Sequence, residues 1–164
     1  MVLQIPLVAR SPVARVAAVL AAAALATPLI GTFEGTVNTG YRDPVGIPTS
    51  CTGHTGPDAI VGRRYTDDQC AAQLATDAVR HGLDIDACLP PNLPIQTRAA
   101  FISMAFNVGA ARFCSSTLSR RAMSGDLKGA CAEVSKWTYA GTRQLPGLVR
   151  RRAAERRLCE QGLS

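Results

Sequence analysis

A turn-rich stretch between residues 33 and 49 constrains the fold of this chain more than any other feature. It reads FEGTVNTGYRDPVGIPT, with Glu34 near its start, Asp43 in its middle and Thr49 at its end. Glycines, threonines, an asparagine and prolines at this density are typical of a helix end that leads into a β-hairpin. We therefore expect the two carboxylates to lie on separate elements that face each other across a cleft.

Glu34, Asp43 and Thr49 are the residue types that cleavage of a glycosidic bond requires. A protonated carboxylic acid can donate to the leaving oxygen, while an ionised carboxylate and a hydroxyl orient a water. Glu34 follows Phe33 and is expected in a less polar pocket, whereas Asp43 beside Arg42 is expected to stay ionised. An inverting reaction needs carboxyl groups about 6.5 to 9.5 Å apart and a retaining one about 5 to 5.5 Å, and the sequence leaves both open.

The spacing of these three residues is part of a longer pattern. Eight residues separate Glu34 from Asp43 and five separate Asp43 from Thr49, and a GHTG turn follows at 53–56. Further matches are FNVG at 106–109, WTYAG at 137–141 and GLVxRRxxExxL at 147–158. The chain therefore resembles the phage-type lysozymes, glycoside hydrolase family 24, over nearly all of its length after residue 32.

The resemblance implies an α+β lysozyme-like fold, with a small antiparallel β lobe that carries Asp43 and Thr49 and a larger, mostly helical lobe. It implies hydrolysis of the β-1,4 bond between N-acetylmuramic acid and N-acetylglucosamine in peptidoglycan, for host cell lysis. Glu34 would be the general acid, Asp43 and Thr49 would position the water, and no cofactor or metal is implied. The alternatives are a lytic transglycosylase, in which one glutamate acts alone, and an exported cationic glycan-binding protein on a lysozyme scaffold.

The N-terminal residues have the composition of an export segment. A basic leader with Arg10 and Arg15 precedes an uncharged run from Val16 to Ile30. One interpretation is a secretory signal that is cleaved before Thr27. The other is an anchor that is not removed, because phage lysozymes of this kind include a group with weakly hydrophobic signal-anchor-release (SAR) segments.

The length and the weak hydrophobicity of this run favour the releasable anchor. Fifteen residues of helix reach roughly 22 Å, short of a hydrocarbon core of about 30 Å, and alanine contributes little transfer free energy. We therefore divide the chain into an export signal or SAR segment, residues 1–30, and a catalytic domain, residues 31–164. The predicted location is the inner membrane and then the periplasm, with a holin or pinholin acting indirectly. Tethering would hold Glu34 away from Asp43.

Six cysteines, at 51, 70, 88, 114, 131 and 159, fit an oxidising compartment. An even count in an exported domain indicates disulfides, and six cysteines allow 15 connectivities. We expect one bond between Cys131 and Cys159 on the last two helices and another between Cys88 and Cys114, which bracket the central helix. Cys51 lies two residues after Thr49, so its oxidation could constrain the catalytic turn.

Charge and motifs weigh against other classes. The net charge of +6 attracts polyanions, either nucleic acid or the bacterial envelope, and arginines concentrate between residues 143 and 157. No aromatic residues interleave with them, so we expect no nucleic acid, and a solvated helix face is the simple interpretation. Cys51 and His54 lack a second ligand pair for zinc, and His54 is expected to bond nearby backbone. We expect a monomer.

The remainder predicts helices around a core. Thr66-Asp-Asp-Gln69 is a capping box that opens a helix ending at Gly82, with His81 at its C-terminal end. Apolar residues cover nearly all faces of 96–107, which places that helix at the centre of the core. Pro146 begins the terminal, arginine-rich helix.

Overall fold

The computed structural model describes residues 11–164, so the basic leader at Arg10 lies outside the described residues. The described part contains seven helices and two small sheets. Their bounds are α1 Pro12–Phe33, β1 Val37–Arg42, β2 Pro48–Cys51, α2 Asp67–Asp86, α3 Ile95–Val108, α4 Ala110–Cys114, α5 Thr117–Met123, α6 Leu127–Val134, β3 Tyr139–Ala140, β4 Arg143–Gln144 and α7 Pro146–Gln161. The fold is α+β, with a small antiparallel β lobe and a larger helical lobe, as predicted.

The small β lobe is a hairpin followed by a loop. β1 and β2 pair antiparallel, with Tyr41 opposite Thr49 and Arg42 opposite Pro48. An isolated bridge between Thr39 and Arg64 attaches the following loop to β1. The turn chemistry of the sequence predicted this hairpin, and its position directly after α1 is confirmed.

Helix α3 forms the centre of the helical lobe. Every residue from Thr97 to Ala105 is buried, and the helix packs against α1, α2 and α7. Ridges on all of its faces therefore meet another helix, which is why its sequence lacks a polar stripe. The predicted central helix over 96–107 is confirmed.

Helix α1 is both a core helix and a candidate membrane span. Among the described residues it is the one helix long and apolar enough to cross a bilayer, and its 22 residues reach about 33 Å. Val19, Ala22, Ala26 and Ile30 are fully buried, and α1 packs against α2 and α3. The helix runs without a break across residue 30, where the export segment was expected to end.

The start of α1 is fixed to the body by an ion pair. Arg15 Nη2 lies 2.6 Å from Asp86 Oδ2, and the buried Arg98 lies 2.7 Å from the other oxygen of Asp86. The Asp86 carboxylate thus joins the first turn of α1, the last residue of α2 and the first turn of α3.

Helix α2 begins as predicted but does not end at Gly82. The capping box of Thr66 and Gln69 is present, yet the helix continues to Asp86. A Cβ at Gly82 would lie 2.7 Å from Val19 Cγ1 and 2.9 Å from Ile102 Cδ1. The glycine is therefore required by close packing and does not end the helix.

His81 accordingly lies within α2 and not at its C-terminal end. Its ring packs 5.0 Å from that of Phe106. Burial lowers the pKa of His81, and the charge of Arg80 lowers it further. The predicted position of His81 at the end of the helix is therefore wrong.

The six cysteines form three disulfides. Cys88–Cys114 and Cys131–Cys159 are confirmed as predicted, and Cys51–Cys70 is the third. The last of these joins the end of β2 to the first turn of α2. The residue two positions after Thr49 is therefore held against the helical lobe.

Candidate active site

Glu34 lies at the point where the helical lobe meets the hairpin. It is the C-cap of α1, and its backbone N–H donates to the carbonyl of Ile30. Its half-buried side chain accepts a hydrogen bond of 2.5 Å on Oε1 from Nη1 of Arg151. Oε2 has no hydrogen-bond partner in the part of the chain that the structure describes. One carboxylate oxygen is thus paired and the other is available.

A cleft of about 710 Å³ opens beside Glu34. Glu34 is the one carboxylate among the described residues that line it, and Asn107 and Arg151 line it too. The remaining lining comes from the end of α1 and the start of α7: Thr32, Phe33, Leu145, Pro146, Gly147, Leu148 and Arg150. This volume is in the range of small-molecule and sugar sites.

A buried ionic cluster holds Arg151 in place. The Nε of Arg151 donates to Oε1 of Glu155 at 3.0 Å, and its Nη2 donates to the carbonyl of Ser103. Glu155 is fully buried and also accepts from the hydroxyl of Ser103 and from Nη1 of Arg152. Arg152 in turn donates to Oδ1 of Asn107. Burial lowers the pKa of Arg152, and the adjacent Glu155 carboxylate opposes that effect.

Asp43 organises the hairpin turn. Its Oδ1 accepts from the backbone N–H groups of Val45 and Ile47, at 2.9 and 2.8 Å. Its own backbone N–H donates to the carbonyl of Ile47, and its carbonyl accepts from Gly46. Oδ2 has no hydrogen-bond partner among residues 11–164. The turn therefore fixes the carboxylate by one oxygen and leaves the other open.

Thr49 lies on β2 and shares an anchor with Asp43. The buried Thr49 hydroxyl donates to the carbonyl of Ile47 at 3.0 Å, the same carbonyl that accepts from the backbone of Asp43. The structure thus brings Asp43 and Thr49 together on one hairpin. Glu34 lies before the hairpin, at the end of α1. Neither Asp43 nor Thr49 lines the cleft beside Glu34.

A buried histidine connects the hairpin loop to α2. His54 pairs with Ser50 across a backbone bridge, and its ring contacts Asp77 through Nδ1 at 2.8 Å and Asp58 through Nε2 at 2.9 Å. Burial alone would lower the pKa of His54, but the hydrogen bonds to Asp58 and Asp77 outweigh it, so the pKa is raised. The same contact, and then Gln73, lowers the pKa of Asp58. The expected bonding of His54 to nearby backbone through its ring is wrong.

Two expectations about charge also need correction. Glu34 is not in a less polar pocket, because the guanidinium of Arg151 lies against its carboxylate. Arg150 and Arg157 are exposed, as a solvated helix face predicts, whereas Arg151 and Arg152 are buried. The i+3 and i+4 spacing of Glu155 from these arginines was the signal in the sequence that could have indicated an internal ion pair.

A family model described as phage lysozyme matches residues 31–155. The chain belongs to the phage lysozyme family. It is therefore a glycoside hydrolase, and it is 42% identical over 130 residues to a SAR-endolysin of bacteriophage PS119, covering 79% of this chain and 78% of the relative.

Solved structures agree with the phage lysozyme assignment. The muramidase domain of SpmX from Asticaccaulis excentricus superposes with a TM-score of 0.74 at 29% identity, covering 82% of this chain and 94% of that one. The active form of P1 phage endolysin Lyz gives 0.71 at 27% identity, covering 85% of both chains. The secreted inactive form of the same endolysin gives only 0.51 at 25% identity, covering 66% of this chain and 78% of that one.

Proposed function

We propose that this phage lysozyme hydrolyses the β-1,4 bond between N-acetylmuramic acid and N-acetylglucosamine in peptidoglycan, with Glu34 as the general acid. The observation that carries the proposal is that Glu34 is the one carboxylate among the described residues that line the cleft. Membership of the phage lysozyme family and the structural likeness to a muramidase domain support the same substrate.

The contacts of Glu34 suit an acid that gives up its proton and becomes charged. Oε2 carries the proton toward the leaving glycosidic oxygen, since Oε1 is already engaged by Arg151. Once the proton has left, the guanidinium of Arg151 lies 2.5 Å from the carboxylate and compensates its new charge. Positive charge held in place beside a group that becomes negative lowers the barrier without rearrangement.

Asp43 and Thr49 would hold the attacking water. The hydroxyl proton of Thr49 is directed to Ile47, so Oγ1 acts as an acceptor toward water. Oδ2 of Asp43 is a second acceptor on the same hairpin. A water that donates both of its protons to these two oxygens presents a lone pair for attack on the sugar carbon.

The two acceptors also bear on the alternatives. In a lytic transglycosylase a hydroxyl of the sugar itself is the nucleophile, and no water has to be positioned. Asp43 and Thr49 would then have no role in the reaction. A glycan-binding protein would not need an acid beside the cleft. Hydrolysis is the one reading that uses Glu34, Asp43 and Thr49 together.

Conservative substitutions test these roles on purified peptidoglycan. Glu34→Gln should lose at least about 100-fold in rate, in the range expected for general acid catalysis. Asp43→Asn keeps an oxygen for the turn and should lose activity through charge alone, while Thr49→Ser should keep more activity than Thr49→Val. Glu160→Gln, on the exposed side of α7, is the matched control. Full activity of Glu34→Gln would end the proposal.

We infer in addition that the apolar segment is retained and that the enzyme moves from the inner membrane to the periplasm. Cleavage before Thr27 would remove Ala22, Ala23 and Ala26 from the core cluster. It would also remove the buried side chain of Val19. The greater likeness to the active than to the inactive form of the P1 endolysin supports a released, docked arrangement of α1. Regulation by a holin or pinholin stays a prediction.

The mass of the periplasmic protein decides between retention and cleavage. A retained segment predicts an intact mass that includes residues 1–26, together with protein in the membrane fraction before lysis. A soluble chain that begins at Thr27 would mean an ordinary signal peptide, and the muramidase proposal would stand without the anchor.

A further inference from the structure

Glu155 does not line the cleft, yet it contacts two arginines that each bond to a residue lining it. The residue is fully buried on α7 and lies between Arg151, Arg152 and the hydroxyl of Ser103 on α3. Arg151 goes on to Glu34, and Arg152 goes on to Asn107. One buried carboxylate is thus connected to two lining residues by way of the two arginines.

The contact with Glu155 determines the orientation of the Arg151 guanidinium. A guanidinium is planar and presents its N–H donors in a fixed fork, so two occupied nitrogens determine where the third points. Nε is occupied by Glu155 at 3.0 Å and Nη2 by the Ser103 carbonyl at 3.2 Å. The third nitrogen, Nη1, then meets Glu34 at 2.5 Å.

We propose that Glu155 is a positioning residue for the reaction: by holding Nε of Arg151 it aims Nη1 at Glu34. The inference rests on the proposed role of Glu34 as the general acid. Ser103 contributes to the same alignment, because its hydroxyl donates to the Glu155 oxygen that receives Arg151 and its carbonyl receives Nη2.

The simpler role for Glu155 is to neutralise buried charge. Arg151 and Arg152 bring two positive charges into the protein interior, and Glu155 is the buried carboxylate that contacts both of them. Removing Glu155 alone leaves Arg152 buried without its carboxylate, which endangers the fold. Replacing Glu155 and Arg152 together leaves the net charge of the cluster unchanged. The double variant Glu155→Gln/Arg152→Gln therefore separates the loss of charge balance from the loss of Arg151 alignment.

Steady-state cleavage of dye-labelled peptidoglycan by the full chain tests the proposal. Glu155→Gln and the double variant should both lose about tenfold or more in kcat with KM within about twofold, as misplacement of a catalytic contact does. Ser103→Ala, which leaves every charge in place, should lower kcat by a smaller factor, again with KM within about twofold.

Glu160→Gln on the same helix is the control, and circular dichroism checks the fold of each variant. If Glu155→Gln does not fold, the double variant and Ser103→Ala still show whether Glu155 aligns Arg151. Wild-type kcat in the double variant and in Ser103→Ala would overturn the aiming role. An inactive wild type, or an active Glu34→Gln, would instead overturn the proposed function itself.

Discussion

Leucine at two adjacent alanines of α1 tests whether the apolar segment becomes part of the core. Ala23 is 1% exposed and belongs to the core cluster, whereas Ala24 faces solvent. Ala→Leu raises the hydropathy of the segment equally at both sites. Any effect on membrane anchoring is therefore shared, and only packing distinguishes the two variants.

The expected difference follows from the space at each site. Extra carbon atoms in a filled core cost about 1 to 3 kcal/mol, and each kcal/mol lowers Tm by about 2 to 4 °C in a protein of this size. Ala23→Leu should therefore melt several degrees below the wild type. Ala24→Leu should stay within about 0.5 kcal/mol of it, as surface substitutions do.

Thermal unfolding of the soluble periplasmic protein, followed by circular dichroism without reductant, measures the effect. Membrane and soluble fractions from the same cells show whether the two variants anchor alike. Equal melting temperatures for the two variants would show that α1 does not pack through Ala23 in the released enzyme. The retention argument would then lose its structural basis.

Three further outcomes are expected. The raised pKa of His54 means that its protonated ring stabilises the fold fully below the unfolded value of about 6.5 and progressively less as pH rises through the folded value. Thermal melts should therefore show the largest loss for His54→Gln near pH 5 and a smaller loss as pH rises through the higher, folded pKa. A loss that stays constant with pH would contradict this. Replacing Cys51 and Cys70 by serine should lower kcat more than removal of the disulfide between α6 and α7, since only the first bond holds the hairpin; equal kcat at a temperature where both fold would argue otherwise. Gly82→Val should cost about 1 to 3 kcal/mol through its approach to α1, and an unchanged denaturation midpoint would refute that contact.

Local chemistry predicted the parts of the fold that neighbours in the sequence determine. The capping box at Thr66 and Gln69, the hairpin after Glu34 and the helix from Pro146 are all present. Each depends on turns, caps or prolines whose effect reaches only a few residues. The two predicted disulfides follow from helices that were placed in the correct order.

Long-range partners account for what the sequence could not show. A helix of alanine, leucine and valine has the same composition in a membrane and in a core, so its packing against α3 was not visible. Glycine often marks the end of a helix, but Gly82 lies within α2 and leaves room for Val19 of α1 to pack against it. Arg151 looked solvated because its partner Glu34 lies 117 residues away.

The candidate site divides in the same way. The spacing of Glu34, Asp43 and Thr49 identified candidate residues by type, and the hairpin explains how Asp43 and Thr49 come together. The arginine beside Glu34 and the carboxylate that aims it become evident only when α7 packs against α3 and the end of α1.

Mass spectrometry of the fragments released from purified peptidoglycan tests the central claim most directly. Wild-type protein should release fragments that end in reducing N-acetylmuramic acid, and Glu34→Gln should release almost none. Anhydro ends would show a transglycosylase and would contradict hydrolysis. Reducing ends that persist in Glu34→Gln would contradict the role of Glu34 as the acid.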